Sequence, residues 1–208
     1  MSIQPEQPVK VLALAGSLRE ASFNRRLVRL AAELAPEGIE LVEYRDLRDV
    51  EPFDEDVEGN GATPGADAFR AAIDAADAVL IVTPEYNASI PGQLKNALDW
   101  SSRAHQAPHG DLQRSVMYGK PVAAASVSTG QFGAVWARDE LIKSLRTQGA
   151  RVVTEPSVAV PNAATAFDQD EALASPDLQE KLLQLVTNLG TTAAAVRTAR
   201  ARVAAASS

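Results

Sequence analysis

The chain contains no cysteine. That excludes disulfides, iron–sulfur clusters, thiol catalysis and thiolate zinc sites. Histidine is nearly as scarce, with only His105 and His109. These two and Asp111 could suggest a metal ligand set. However, Pro108 breaks the helix that would align an i, i+4 pair, so no metal site is expected. A serine nucleophile would need a nearby base, and no Gly-x-Ser-x-Gly stretch occurs. Positive charge is also in deficit: 20 Lys and Arg against 27 Asp and Glu give a net charge of −7. This argues against a nucleic-acid partner held through phosphate contacts. Arg197, Arg200 and Arg202 form a small basic stripe, read as the solvated end of a helix near its negative pole. No apolar run approaches a membrane span, so no membrane partner is expected. The first eight residues lack the basic-then-apolar pattern of a signal peptide. The absence of cysteine is compatible with a reducing compartment, and a cytoplasmic location is expected.

What is present is an alternation of apolar runs and helical patterns. Val9–Ala15, Ile39–Tyr44, Ala78–Thr83 and Pro121–Val127 read as strands, with a fifth supplied by residues 151–154 and 158–160. Leu27, Leu30, Ala31 and Leu34 recur at helical spacing. Helices are expected at 66–76, Gly92–Ser102 and 133–148. A last one starts at Ser175-Pro176, with Ser as cap and Pro in the first turn, and its Ala-rich end frays. Continuous strands alternating with helices imply a parallel sheet. Five of them imply an α/β, doubly wound, flavodoxin-like order of 2-1-3-4-5. At 208 residues one domain spanning 1–208 is expected. Residues 1–8 form an N-terminal extension and about 192–208 a helical tail.

In such a sheet the ligand lies beyond the carboxyl ends of the strands. Three loops occupy those ends. The first runs from Gly16 to Asn24. It places Ser17, Arg19, Ser22 and Asn24 beside a helix N-terminus, which is how a chain holds a phosphate. It has neither a Walker-type lysine nor three spaced glycines. A monophosphate is therefore indicated, with flavin mononucleotide (FMN) the leading candidate. The plain reading, in which Ser22 caps the helix and Arg19 is solvated, fits the same spacing. The second loop, Pro84 to Pro91, is stiffened by its prolines and contains Asn87, which tolerates unusual backbone angles. An ordinary Asn turn before a Pro-initiated helix fits it too. The third, Ser128 to Gly133, has small residues that let backbone approach a ligand.

Gly16-Ser-Leu-Arg…Ser22-Phe-Asn24, together with Pro84-Glu-Tyr-Asn-Ala-Ser…Pro91-Gly-Gln-Leu-Lys-Asn-Ala-Leu-Asp-Trp100, resembles the NADPH-dependent FMN reductase family. This is the flavodoxin-like group that includes bacterial quinone, chromate and azo-dye reductases. The likeness covers roughly residues 9–150. It departs at Gly133-Ala134, where many members show two glycines. The resemblance implies that Ser17, Arg19, Ser22 and Asn24 hold the FMN phosphate. It places Pro84, Glu85, Tyr86, Asn87 and Ser89 along the isoalloxazine and ribityl side, and Ser128, Thr129 and Gly130 near the far edge of the ring. It further implies an NAD(P)H oxidoreductase that takes a hydride from NADPH or NADH and passes electrons to a quinone-like, azo, chromate or flavin acceptor. A homodimer or homotetramer is implied as well. No catalytic acid or base is expected, because the cofactor carries the chemistry. Glu85 is read as a lining, surface or interface carboxylate, and Trp100 as core or interface. The alternative on the same fold is a flavodoxin-like electron carrier without nicotinamide-driven turnover.

Overall fold

The computed structural model describes residues 7–58, 63–103 and 115–206. His105, His109 and Asp111 lie outside the described residues. Five parallel strands form one sheet in the order β2-β1-β3-β4-β5: β1 (Val9–Ala15), β2 (Ile39–Tyr44), β3 (Ala78–Thr83), β4 (Pro121–Val127) and β5 (Arg151–Val160). The helices are α1 (Phe23–Glu33), α2 (Pro64–Ala75), α3 (Gly92–Ser102), α4 (Val135–Thr147), the short α5 (Ala163–Ala166) and α6 (Pro176–Ala206). Among the described residues no helix is long and apolar enough to cross a membrane.

Every residue of β3 and of β4 is buried. Their side chains alternate between two separate cores. Leu80, Val82, Ala123 and Ala125 pack with Leu27 and Leu30 of α1 and with Leu182, Leu185 and Leu189 of α6. Val79, Ile81, Val122 and Ala124 face Phe69 and Ile73 of α2, Leu94 and Leu98 of α3, and Leu141 and Leu145 of α4. A strand covered on both faces can afford no polar alternation, which is why these segments read as unbroken apolar runs. The fold is therefore three-layered and flavodoxin-like.

The edge strand β5 is one element, not the two pieces the sequence suggests. Its pairing with β4 shifts register between Ala123 and Ala125, so residues 154–157 bulge out of the ladder. The cis Glu155–Pro156 bond lies in that bulge. Arg197 is likewise tied down rather than solvated. Its guanidinium donates to the carbonyls of Gln7 (3.0 Å) and Pro8 (3.3 Å) and lies 3.4 Å from Asp77 Oδ2, anchoring α6 to the entrance of β1.

The acid-rich segment after β2 is fastened to α3. Gln93 Nε2 donates to the carbonyls of Leu47 and Val50 at 2.8 and 2.9 Å. Asn96 Nδ2 and Trp100 Nε1 both donate to Glu51 O at 2.8 Å. The Glu51 carboxylate in turn caps α2, accepting from Gly65 and Ala66 N–H at 2.9 Å. Burial by itself raises its pKa, but these hydrogen bonds outweigh that and hold it below the usual carboxylate range. Trp100 is thus a fully buried core residue.

At the amino-terminal end of β4, opposite the carboxyl ends of the strands, Lys120 is 3% exposed. Its ammonium donates to the carbonyls of Asp74 (3.2 Å) and Ala76 (2.6 Å), closing the end of α2. Burial pushes its pKa down to about 8. Below that pH both folded and unfolded chains carry the proton, and the full desolvation cost is present. Between about 8 and the ordinary value of 10.5 the folded chain sheds its proton first, so this group's contribution to stability rises with pH. Denaturant titrations at pH 7 and pH 9.5 should show the wild type gaining on Lys120→Met by on the order of 1–2 kcal/mol. A difference that is flat in pH would contradict this.

Candidate functional site

Strand order reverses at β1. The connection from β1 passes through α1 on one face, and β3 leads into α3 on the other. The loops after β1 and β3 therefore part, opening a crevice at the carboxyl ends of the strands. Gly16 sits at its floor. Its amide donates to Val82 O at 2.8 Å, extending the β1–β3 ladder by one residue. A Cβ there would come within 2.9 Å of Leu94 Cδ2 and 3.2 Å of Pro84 Cδ. Glycine lets the first two loops close together.

From this floor the first loop rises toward α1. Ser17 is buried, and its Oγ accepts weakly from Arg19 N–H at 3.4 Å. Ser22 is the N-cap of α1, its Oγ accepting from Arg25 N–H at 3.2 Å. The plain reading of Ser22 is thus met, and its hydroxyl proton stays available to donate. Asn24, 4% exposed, leaves its Oδ1 buried without a partner. The first turn of α1 carries no acid, so the positive pole of the helix is open toward the crevice. Glu20 is drawn aside by Arg25 (2.8 Å), which also lies 3.5 Å from Glu43. Arg19 is exposed, and among the described residues no acceptor takes its guanidinium. The amides of Ser17, Leu18, Glu20 and Ala21 likewise have no acceptor among the described residues.

In the second loop, Tyr86 and Ser89 exchange backbone hydrogen bonds (2.9 and 3.2 Å) around Asn87 and Ala88. Both central residues are left-handed, with φ of 54° and 59°. This is a tight turn of the kind that favours Asn and Gly. Pro84 is buried below it and Tyr86 is 49% exposed. Thr83, buried at the end of β3, donates its hydroxyl to Pro84 O at 2.8 Å.

Glu85 does something the sequence did not reveal. Its Oε2 accepts from Ala137 N–H at 3.1 Å, in the first turn of α4. That helix has Ala134 at its N-cap and no side-chain cap of its own. A carboxylate from the neighbouring loop supplies the missing acceptor and complements the helix dipole. It also clamps the second loop to the third.

The third loop is turned more to its own support. Ser128 N–H donates to Val160 O (3.1 Å), Ser128 Oγ accepts from Gly130 N–H (3.1 Å), and Gly130 O accepts from Gly133 and Asn162. The exposed Thr129 completes the turn. No hydrogen bond or ion pair joins this loop to Arg19 among the described residues, and β3 lies between β1 and β4. The structure thus brings the first and second loops together at Gly16 and the second and third at Glu85. At Gly133–Ala134, where the likeness departs from two glycines, both residues are left-handed, with φ of 62° and 63°. Gly133 packs against the backbone of Ala159 and Val160, where a Cβ would approach to 2.9 Å.

A doubly wound, flavodoxin-like sheet with a crevice at its strand switch defines the class of α/β proteins that bind ligands at the carboxyl ends of their strands. The family model for NADPH-dependent FMN reductase matches residues 9–165, and the chain belongs to that family. An NAD(P)H-dependent FMN reductase of Pseudomonas aeruginosa is 36% identical over 176 residues, covering 85% of this chain and 90% of that protein. A quinone reductase of Pseudomonas putida is 38% identical over 167 residues, 80% of this chain and 86% of that protein. Among solved structures, the flavoenzyme NAD(P)H:acceptor oxidoreductase of Paracoccus denitrificans superposes with a TM-score of 0.77. Its identity is 28%, over 89% of this chain and 97% of that one.

Ala88 carries a backbone angle that costs an L-residue roughly 1–2 kcal/mol. Ala88→Gly should raise unfolding stability by about 0.5–1 kcal/mol in denaturant titration. A loss of stability would contradict the left-handed turn.

Proposed function

We propose that this chain is an FMN-dependent NAD(P)H oxidoreductase that delivers electrons to a quinone-like small molecule. The single observation that carries this reading is the open phosphate cradle at the strand switch. It comprises unpaired loop amides, the exposed Arg19 and the buried Ser17 beside the acid-free first turn of α1, where Ser22 and Asn24 also lie. The names of the relatives support the reaction. The donor set fits a phosphomonoester: N–H and O–H donors and one guanidinium meet an anion, and the acids nearby are held elsewhere.

When bound, the flavin supplies hydride acceptance and electron delivery. The protein's task is binding and orientation. Arg19, Ser17, Ser22 and Asn24 would hold the phosphate. Pro84, Tyr86, Asn87 and Ser89 would flank the ring, with the amides of Asn87 and Ala88 free to donate toward its polar edge. Glu85 would act from behind, by fixing this loop to α4. Ser128, Thr129 and Gly130 would close the far side. No side chain is assigned proton transfer. The net conversion takes NAD(P)H, a proton and a quinone to NAD(P)+ and a hydroquinone.

The chain would work as a single FMN-binding domain in the cytoplasm and as a homodimer or homotetramer. NADPH and NADH are both possible donors. Azo compounds, chromate and free flavin are further acceptors that such a site admits.

The purified protein should be yellow, or become so with FMN, and oxidise NAD(P)H with a naphthoquinone. Bound flavin that nicotinamide never reduces would favour an electron carrier instead. Arg19→Ala should weaken FMN binding by about 1.5–3 kcal/mol, roughly 10- to 150-fold by equilibrium titration. Unchanged affinity would remove the phosphate assignment.

A further inference from the structure

Three exposed aromatic side chains sit on the second and third loops or the helix turn that follows: Tyr86, Phe132 (53% exposed) and Trp136 (51% exposed). Phe132 and Trp136 form a T-shaped pair, with centroids 5.1 Å apart and planes at 69°. Their mounting is rigid. Phe132 precedes Gly133, which is pressed on Ala159 and Val160 and whose carbonyl accepts from Ser126 Oγ at 2.6 Å. Trp136 precedes Ala137, the residue that Glu85 clamps to the second loop. Two large rings are thus held edge to face on the third loop and the helix turn that follows, each half in solvent, so that part of their ring surface stays open.

Such a pair is suited to stack a planar π-system. It is small against the roughly 800 Å² per partner that a stable protein interface buries. Its position is continuous with the candidate site. Resting on the function proposed above, we propose that Phe132 and Trp136 form a docking platform for the acceptor. They would receive a planar aromatic quinone of naphthoquinone size, and so favour planar over non-planar oxidants. The quinone takes up two electrons and two protons to become the hydroquinone, with NAD(P)H and a solvent proton as the sources.

The test uses the flavin-loaded full chain. It has two tryptophans, of which Trp100 is fully buried and Trp136 exposed. Titration with 2-methyl-1,4-naphthoquinone, without nicotinamide, should quench the exposed component saturably. Trp136→Phe should show no such component. In turnover, Trp136→Ala should lower kcat/KM for the naphthoquinone roughly 3- to 10-fold. The value for ferricyanide, which has no π-face, should not change, and Trp136→Phe should restore most of the loss. Trp136 is half exposed, so these variants keep their core. The platform is overturned by an equal fall for both oxidants, by the absence of saturable quenching, or by a changed oligomeric state of Trp136→Ala in sedimentation. That last result would make the pair a contact between copies of the chain. A wild type that never oxidises NAD(P)H would count against the proposed function, and the quenching titration would still decide the platform.

Discussion

The approach of Gly16 to Pro84 and Leu94 is the constraint on which the rest of the site depends. The β1–β3 ladder runs on through the Gly16 amide, so the first two loops start from one fixed floor. A side chain at this position would have to occupy space within 2.9 Å of Leu94. Because α1 and α3 leave on opposite faces, the loops must then diverge, and the divergence is the crevice. The donors that line it are the unpaired groups any strand-to-helix turn leaves behind. Here the nearby carboxylates of Glu20 and Glu43 are paired with Arg25 and Arg45, and the first turn of α1 carries no acid.

The crevice is also braced from outside, by contacts that tie its loops to the helices around it. Glu85 supplies α4 with the cap that Ala134 cannot, and in doing so ties two loops together. Gln93, Asn96 and Trp100 fasten the acid-rich segment to α3, so that this segment braces the helix whose Leu94 meets Gly16.

Much of this was legible in the sequence. The strands β1, β2, β3 and β4 were readable to the residue: β3 and β4 because strands buried on both faces must be continuously apolar, β1 because it is buried at all but Lys10, and the partly exposed edge strand β2 because Pro36 and Gly38 precede it and an acidic loop follows. The strand order followed from alternation with helices. The edge strand β5 was less legible: it is half exposed, and a bulge interrupts its pattern at residues 154–157. Of the site, the first two loops carried their own signal in Gly, Ser, Arg, Asn and Pro at turn spacing. The Glu85 cap was illegible, since its partner is 52 residues away along the chain. So was the left-handed backbone at Ala134, where the sequence shows an alanine rather than a glycine. The polar face formed by Gln93, Asn96 and Trp100 was a signal that spacing on one helix could have exposed.

The central claim is that the loop after β1 is built for a phosphomonoester. Its most direct test is a pair of binding titrations on the flavin-free chain, one with FMN and one with riboflavin, which is the same ring and ribityl chain without the phosphate. The account predicts that riboflavin binds at least about 100-fold more weakly, the loss expected for several charge-assisted hydrogen bonds. Equal affinity for the two would contradict it.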